Sequence, residues 1–112
     1  MRLTVLAALV PALLLPSMAA APTLNGTVGP GSTIQLTKGR ASVHTLKAGH
    51  YVVKVADKSD QHNFHLKGPG VSKHTSVPGT GSATGKVTLK KGKYVFLCDA
   101  HPTMMMGRFT VT

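Results

Sequence analysis

Beyond residue 20, no stretch of this chain repeats its apolar residues at helical spacing. Short apolar alternations are instead cut every few residues by Gly, Pro, Lys or Ser. A chain so punctuated can fold only as a series of short strands. The spacing predicts strands at 24–28, 33–37, 42–46, 50–56, 62–66, 85–89, 93–98 and 108–112, with turns at 27–33 and 67–73. PGTGSATG (78–85) reads as a polar surface loop. One short repeat adds topology. TLKAGHYV (45–52) and TLKKGKYV (88–95) agree at six of eight places. In each, a Leu closes one strand, a glycine turn follows, and a Tyr enters the next strand. Such a tyrosine commonly ties its hydroxyl across a corner in Greek-key sandwiches. The expected fold is therefore all-β, a sandwich of two sheets.

The first residues read differently. Met1-Arg2 gives a positive start, LTVLAALVPALLL is apolar, and Ser17-Met18-Ala19 places small residues at a cleavage site. This is the three-part design of a secretory signal peptide, too short for a good membrane span. Residues 1–19 are assigned to the signal and 20–112 to one small domain. That domain has no transmembrane span after cleavage and lies in the periplasm or elsewhere outside the cytoplasm. No cysteine follows the apolar run, which excludes a lipoprotein anchor.

Charge is one-sided: 13 Lys and Arg stand against three acids, for a net charge of +10. In an exported chain with scattered lysines and few aromatic residues, this points to an acidic protein partner or an anionic envelope surface rather than to nucleic acid.

The single cysteine of the chain lies in YVFLCDAHPTMMMG (94–107). One cysteine cannot form an intramolecular disulfide, so the thiol needs another purpose. The period of two puts Tyr94, Phe96 and Cys98 on one face of their strand. His101 follows after a short turn stiffened by Pro102, and Met104, Met105 and Met106 come next. A thiolate, an imidazole and a thioether in one loop suit copper, which takes all three in a trigonal site with a weak axial sulfur. Structural zinc prefers four strong ligands. A second imidazole must come from another strand. His62 and His65, in DKSDQHNFHLKGPG (57–70), point to opposite faces, and His62 shares its face with Phe64, which favours it. His44, His50 and His74 have no motif context and read as surface histidines.

GKYVFLCDAHPTMMMGRFTV (92–111) resembles the C-terminal end of plastocyanin-like blue copper proteins, the cupredoxins. Their pattern is Gly-x-Tyr-x-Phe-x-Cys-x-x-His, then Met, then x-Gly and a last strand; His62-Asn63 matches their first ligand motif. With the LKxGxY turns, the resemblance covers most of 33–112. It implies a cupredoxin-like Greek-key β-sandwich of seven to eight strands, holding one type 1 copper ion. His62, Cys98 and His101 become the equatorial ligands. The Met-x-Gly anchor selects Met105 as axial ligand over Met106 and Met104, with His65 the alternative imidazole. Asn63 corresponds to the residue that ties the two ligand loops together. The implied function is one-electron transfer as a monomer with a redox protein partner, without enzymatic activity of its own. The alternative is copper chaperoning or sequestration in the cell envelope. The sequence departs from the family's pattern in having no Trp, Ala100 where Pro is common, and a strongly basic balance.

Overall fold

The computed structural model describes residues 20–112, so the signal-peptide assignment at 1–19 lies outside the described residues. Ten strands follow in order: β1 (Thr23–Val28), β2 (Ile34–Lys38), β3 (Ala41–Ser42), β4 (Thr45–Leu46), β5 (Gly49–Asp57), β6 (His65–Gly68), β7 (Val71–His74), β8 (Gly81–Leu89), β9 (Gly92–Leu97) and β10 (Met106–Val111). They form two five-stranded sheets, β3-β2-β1-β5-β8 and β4-β10-β9-β6-β7. No helix occurs among the described residues, and hence none long and apolar enough to cross a membrane. This is the expected sandwich.

The count exceeds eight for two reasons. The segment expected as one strand at 42–46 is split, because the chain leaves one sheet after β3 and joins the other at β4. Buried Val43 sits at that crossing, its N–H donating to the Leu36 carbonyl at 3.0 Å. KGPGVSK, expected to be a turn, is a hairpin whose Pro69-Gly70 corner joins β6 to β7. Much of the expected polar loop is also strand. Gly81–Leu89 pairs with β5 along its whole length, and its first half is mostly exposed. The exposed half of such an edge strand is held by backbone hydrogen bonds more than by burial, so it carries no apolar alternation, whereas 85–89, expected as strand, does.

Alternate residues of each sheet meet in one core. Leu24, Val28, Leu36, Val53, Val55, Val87 and Leu89 come from one side, and Leu66, Tyr94, Phe96, Phe109 and Val111 from the other. Each such side chain stabilises the fold by about 1.5–3 kcal/mol when fully buried. Phe64 stacks on Phe96 with centroids 5.7 Å apart, and Tyr94 on Phe109 at 5.2 Å. This aromatic packing continues along β9 toward Cys98.

The repeated octapeptide builds two corners of the same kind. Tyr51 donates its hydroxyl to the Lys47 carbonyl at 2.6 Å. The Tyr94 hydroxyl accepts from the Lys90 N–H and faces the Lys90 carbonyl, both at 2.9 Å. In each case the tyrosine reaches back four residues across the glycine turn. Tyr94→Phe strands a partly buried N–H and is expected to cost about 1–2 kcal/mol, against about 1 kcal/mol for Tyr51→Phe. Urea unfolding of both variants measures the difference.

Candidate metal centre

Strand pairing brings the candidate ligands together. β6 runs antiparallel to β9 with His65 opposite Leu97. The residues just before β6 therefore lie beside those just after β9. His62, Asn63 and Phe64 belong to the crossover from β5, in one sheet, to β6 in the other. The strand expected over 62–66 is thus displaced to 65–68. His62 and Phe64 are buried as expected, and Asn63 between them is buried too.

The loop from Cys98 to Met105 is closed by its own backbone. His101 N–H donates to the Cys98 carbonyl at 3.1 Å, Met105 N–H to the His101 carbonyl at 2.9 Å, and Cys98 N–H to the Met105 carbonyl at 3.0 Å. The last bond sets Met105 across from Cys98, and both are fully buried in the core. The three methionines consequently occupy different environments. Met104 is 71% exposed at the loop's outer turn. Met106 is half-buried, begins β10 and stands opposite Leu97. Gly107 fixes this register: it pairs with Phe96, and a methyl group there would drive into the Phe96 ring.

His62, Cys98 and His101 form a cluster whose donor atoms all lie within 4.8 Å of one another. Cys98 Sγ is 3.7 Å from His62 Nδ1 and 3.9 Å from His101 Nδ1. Bond lengths of about 2.3 Å to sulfur and about 2.0–2.1 Å to nitrogen, at trigonal angles, require about 3.8 Å between sulfur and nitrogen. Tetrahedral angles would require about 3.6 Å. The observed 3.7 and 3.9 Å fit one ion bound by all three residues, and a set of one soft and two borderline donors suits copper. The two imidazoles meet edge to face at 70°, with centroids 4.8 Å apart. Cys98 and His62 are buried, whereas His101 is partly open to solvent.

Asn63 joins the two loops. Its Oδ1 accepts from Asp99 N–H at 2.8 Å, and its Nδ2 donates to Asp99 Oδ2 at 2.8 Å and to the Thr75 carbonyl at 3.0 Å. Asp99 is a participant that sequence reasoning passed over; its position directly after Cys98 was the available signal. His65 points away from the three-donor cluster. Its Nδ1 meets Asp99 Oδ1 at 2.7 Å and its Nε2 meets Ser72 Oγ at 2.8 Å.

Comparison with known proteins extends these observations. The family model for copper binding proteins, plastocyanin/azurin family, matches residues 23–112, ten residues further toward the N-terminus than the motifs had reached. No curated protein matches the chain at a significant level. Among solved structures, reduced rusticyanin is similar at a TM-score of 0.62 and 15% identity, over 84% of this chain and 82% of its own. Rusticyanin from Thiobacillus ferrooxidans gives 0.58 at 15% identity, over 80% and 76%. Auracyanin A, a blue copper protein of Chloroflexus aurantiacus, gives 0.54 at 16% identity, over 83% and 100%. At such identities the structural likeness speaks for the fold.

Proposed function

The chain belongs to the plastocyanin/azurin family of copper-binding proteins, and on that premise we propose that it is an exported carrier of single electrons rather than an enzyme. His62, Cys98 and His101 would be the equatorial ligands of one type 1 copper ion, with Met105 as the weak axial sulfur. Bound copper supplies a one-electron couple between Cu(II) and Cu(I). The protein's part is to hold the donors still and to give the electron a way in and out.

The observation that carries this reading is the spacing of 3.7 and 3.9 Å between the Cys98 sulfur and the two Nδ1 atoms. These donors come from two loops that Asn63 and the backbone of 98–105 fasten together. A cage held by bonds outside itself changes little when the charge at its centre changes, so little reorganisation accompanies each transfer. His101 is the one member of the cluster partly open to solvent, and exposed Met104 lies close to it in sequence. Together they offer an apolar surface through which an electron can pass to a docked partner.

The partner we propose is an acidic redox protein. Lys67 and Arg108 flank Val95 on neighbouring strands of one sheet, and Lys93 stands opposite Thr110 two pairs away. These side chains share a groove with His44. A basic row of this kind steers an acidic surface and weakens as salt rises. The leader at 1–19 supports a periplasmic or extracellular site of action, with 20–112 as the working domain.

A second reading, capture and release of copper, draws on the exposed thioether of Met104. Repeated reduction and reoxidation of the copper-loaded protein beside a Cu(I) chelator separates the two. For an electron carrier the blue absorption bleaches and returns in full, with the metal retained. Copper passing to the chelator at the first reduction would assign the protein to copper handling. No copper uptake at all would overturn both.

A further inference from the structure

His65 and His74 are directly opposite each other on the antiparallel β6–β7 hairpin. Opposite residues of such a pair leave the same face of the sheet. Their rings lie 5.2 Å apart between centroids, inclined at 57°. Lys67 and Ser72, the pair two places along, share that face. Leu66, between His65 and Lys67, points into the core, so the histidines are on the outer side. His74 is exposed and the His65 side chain retains 13% of its surface.

Hydrogen bonding decides which nitrogen of each ring is free. Asp99 Oδ1 is 2.7 Å from His65 Nδ1, and a carboxylate can only accept, so that nitrogen carries the proton. His74 Nδ1 is 3.2 Å from the Thr75 carbonyl oxygen, which is likewise an acceptor. In both neutral rings the lone pair is therefore on Nε2. His65 Nε2 uses it to accept from the Ser72 hydroxyl at 2.8 Å. Metal-bound histidines are prepared in this way: Nδ1–H is given to a carboxylate or a backbone carbonyl, which sets the ring's orientation and makes the other nitrogen more basic. Both members of one cross-strand pair are so arranged.

The charge around the pair is compatible with a cation. The Asp99 carboxylate lies beside His65, its Oδ1 2.7 Å from His65 Nδ1. Lys67 is the cation on the same face of the hairpin, and its ammonium sits on a flexible four-carbon stem that can swing clear.

We propose that His65 and His74 form a second metal site, separate from the three-donor cluster, for a divalent transition cation such as zinc or copper(II). The two Nε2 atoms are its ligands, the Ser72 hydroxyl turning away from His65 Nε2 as the cation binds, and water completes the shell. Imidazole suits these ions, and exposed His74 leaves the site open to solvent on one side.

The test uses purified protein loaded with Cu(I), which is diamagnetic, titrated with Zn²⁺ without oxygen and followed by calorimetry and imidazole ¹⁵N NMR. One equivalent of zinc is expected to bind. The Nε2 signals of His65 and His74 should shift, while those of His44, His50, His62 and His101 stay in place. His74→Ala, at an exposed position where folding is not at risk, should abolish the step, as should His65→Asn; His50→Ala should not. A titration without the step, a step unchanged in His74→Ala, or zinc shifting His44 or His50 instead would overturn the proposal. If copper fails to load, NMR of the copper-free protein still separates His65 and His74 from His62 and His101. Failure of the copper reading is thereby told apart from failure of this one.

Discussion

Cys98→Ser is expected to give a folded protein that takes up Cu(II) weakly and without the intense blue band. The band arises from charge transfer between thiolate and copper, and a serine hydroxyl at neutral pH supplies neither the soft sulfur nor the negative charge. The substitution is close to isosteric, but the site is fully buried. A hydroxyl placed there without a partner costs about 1–3 kcal/mol in the copper-free protein. The larger effect appears with metal present. A ligand at a thousand times its dissociation constant stabilises the native state by about 4 kcal/mol, and the variant forfeits most of that. Visible spectra and thermal unfolding with and without Cu(II) measure both terms. Retention of the intense band in Cys98→Ser, or its absence from the unaltered protein, would refute the assignment of Cys98 as the thiolate ligand.

The sequence was most legible where burial and chemistry coincided. Tyr94, Phe96 and Cys98 alternate with half-exposed residues, and all three face the core as the period of two requires. The repeated corner was readable because a tyrosine hydroxyl, a glycine and a leucine must recur at fixed spacing to make it. Three features stayed hidden for physical reasons. The first half of β8, 81–84, reads as a loop because an exposed edge strand shows no burial pattern. The alternation reads His62 and Phe64 as one face of a strand with Asn63 on the other, whereas the crossover buries all three. The methionines are chemically identical, so composition does not rank them, and only the Met-x-Gly anchor of the resemblance singles out Met105. Their environments follow from the register that Gly107 and Phe96 impose between β9 and β10. The position of Asp99 after Cys98 marks it as near the site, but its contacts with Asn63 and His65 span 36 and 34 residues and only the fold reveals those partners.

Asn63→Ala tests whether the two ligand loops are held by that long-range tie. Asn63 is 1% exposed and makes three hydrogen bonds, two with Asp99 and one with the Thr75 carbonyl. Alanine removes all three and leaves the Asp99 N–H and the Thr75 oxygen without those partners. At about 1–3 kcal/mol for each stranded group, the expected loss is about 3 kcal/mol in the copper-free protein. Copper affinity should fall as well, because His62 directly precedes Asn63 and Cys98 directly precedes Asp99, so loosening the tie lets the donors drift apart. Asn63→Asp separates the contributions. It keeps an acceptor for the Asp99 N–H, loses the donor, and sets a second carboxylate against Asp99. Its backbone bond should survive while the side-chain pairing turns repulsive. Urea unfolding of copper-free and copper-loaded samples distinguishes the strength of the tie from the affinity for metal. A loss below about 1 kcal/mol in copper-free Asn63→Ala would mean that the backbone of 98–105 and the aromatic packing beneath it hold the donors in place without Asn63.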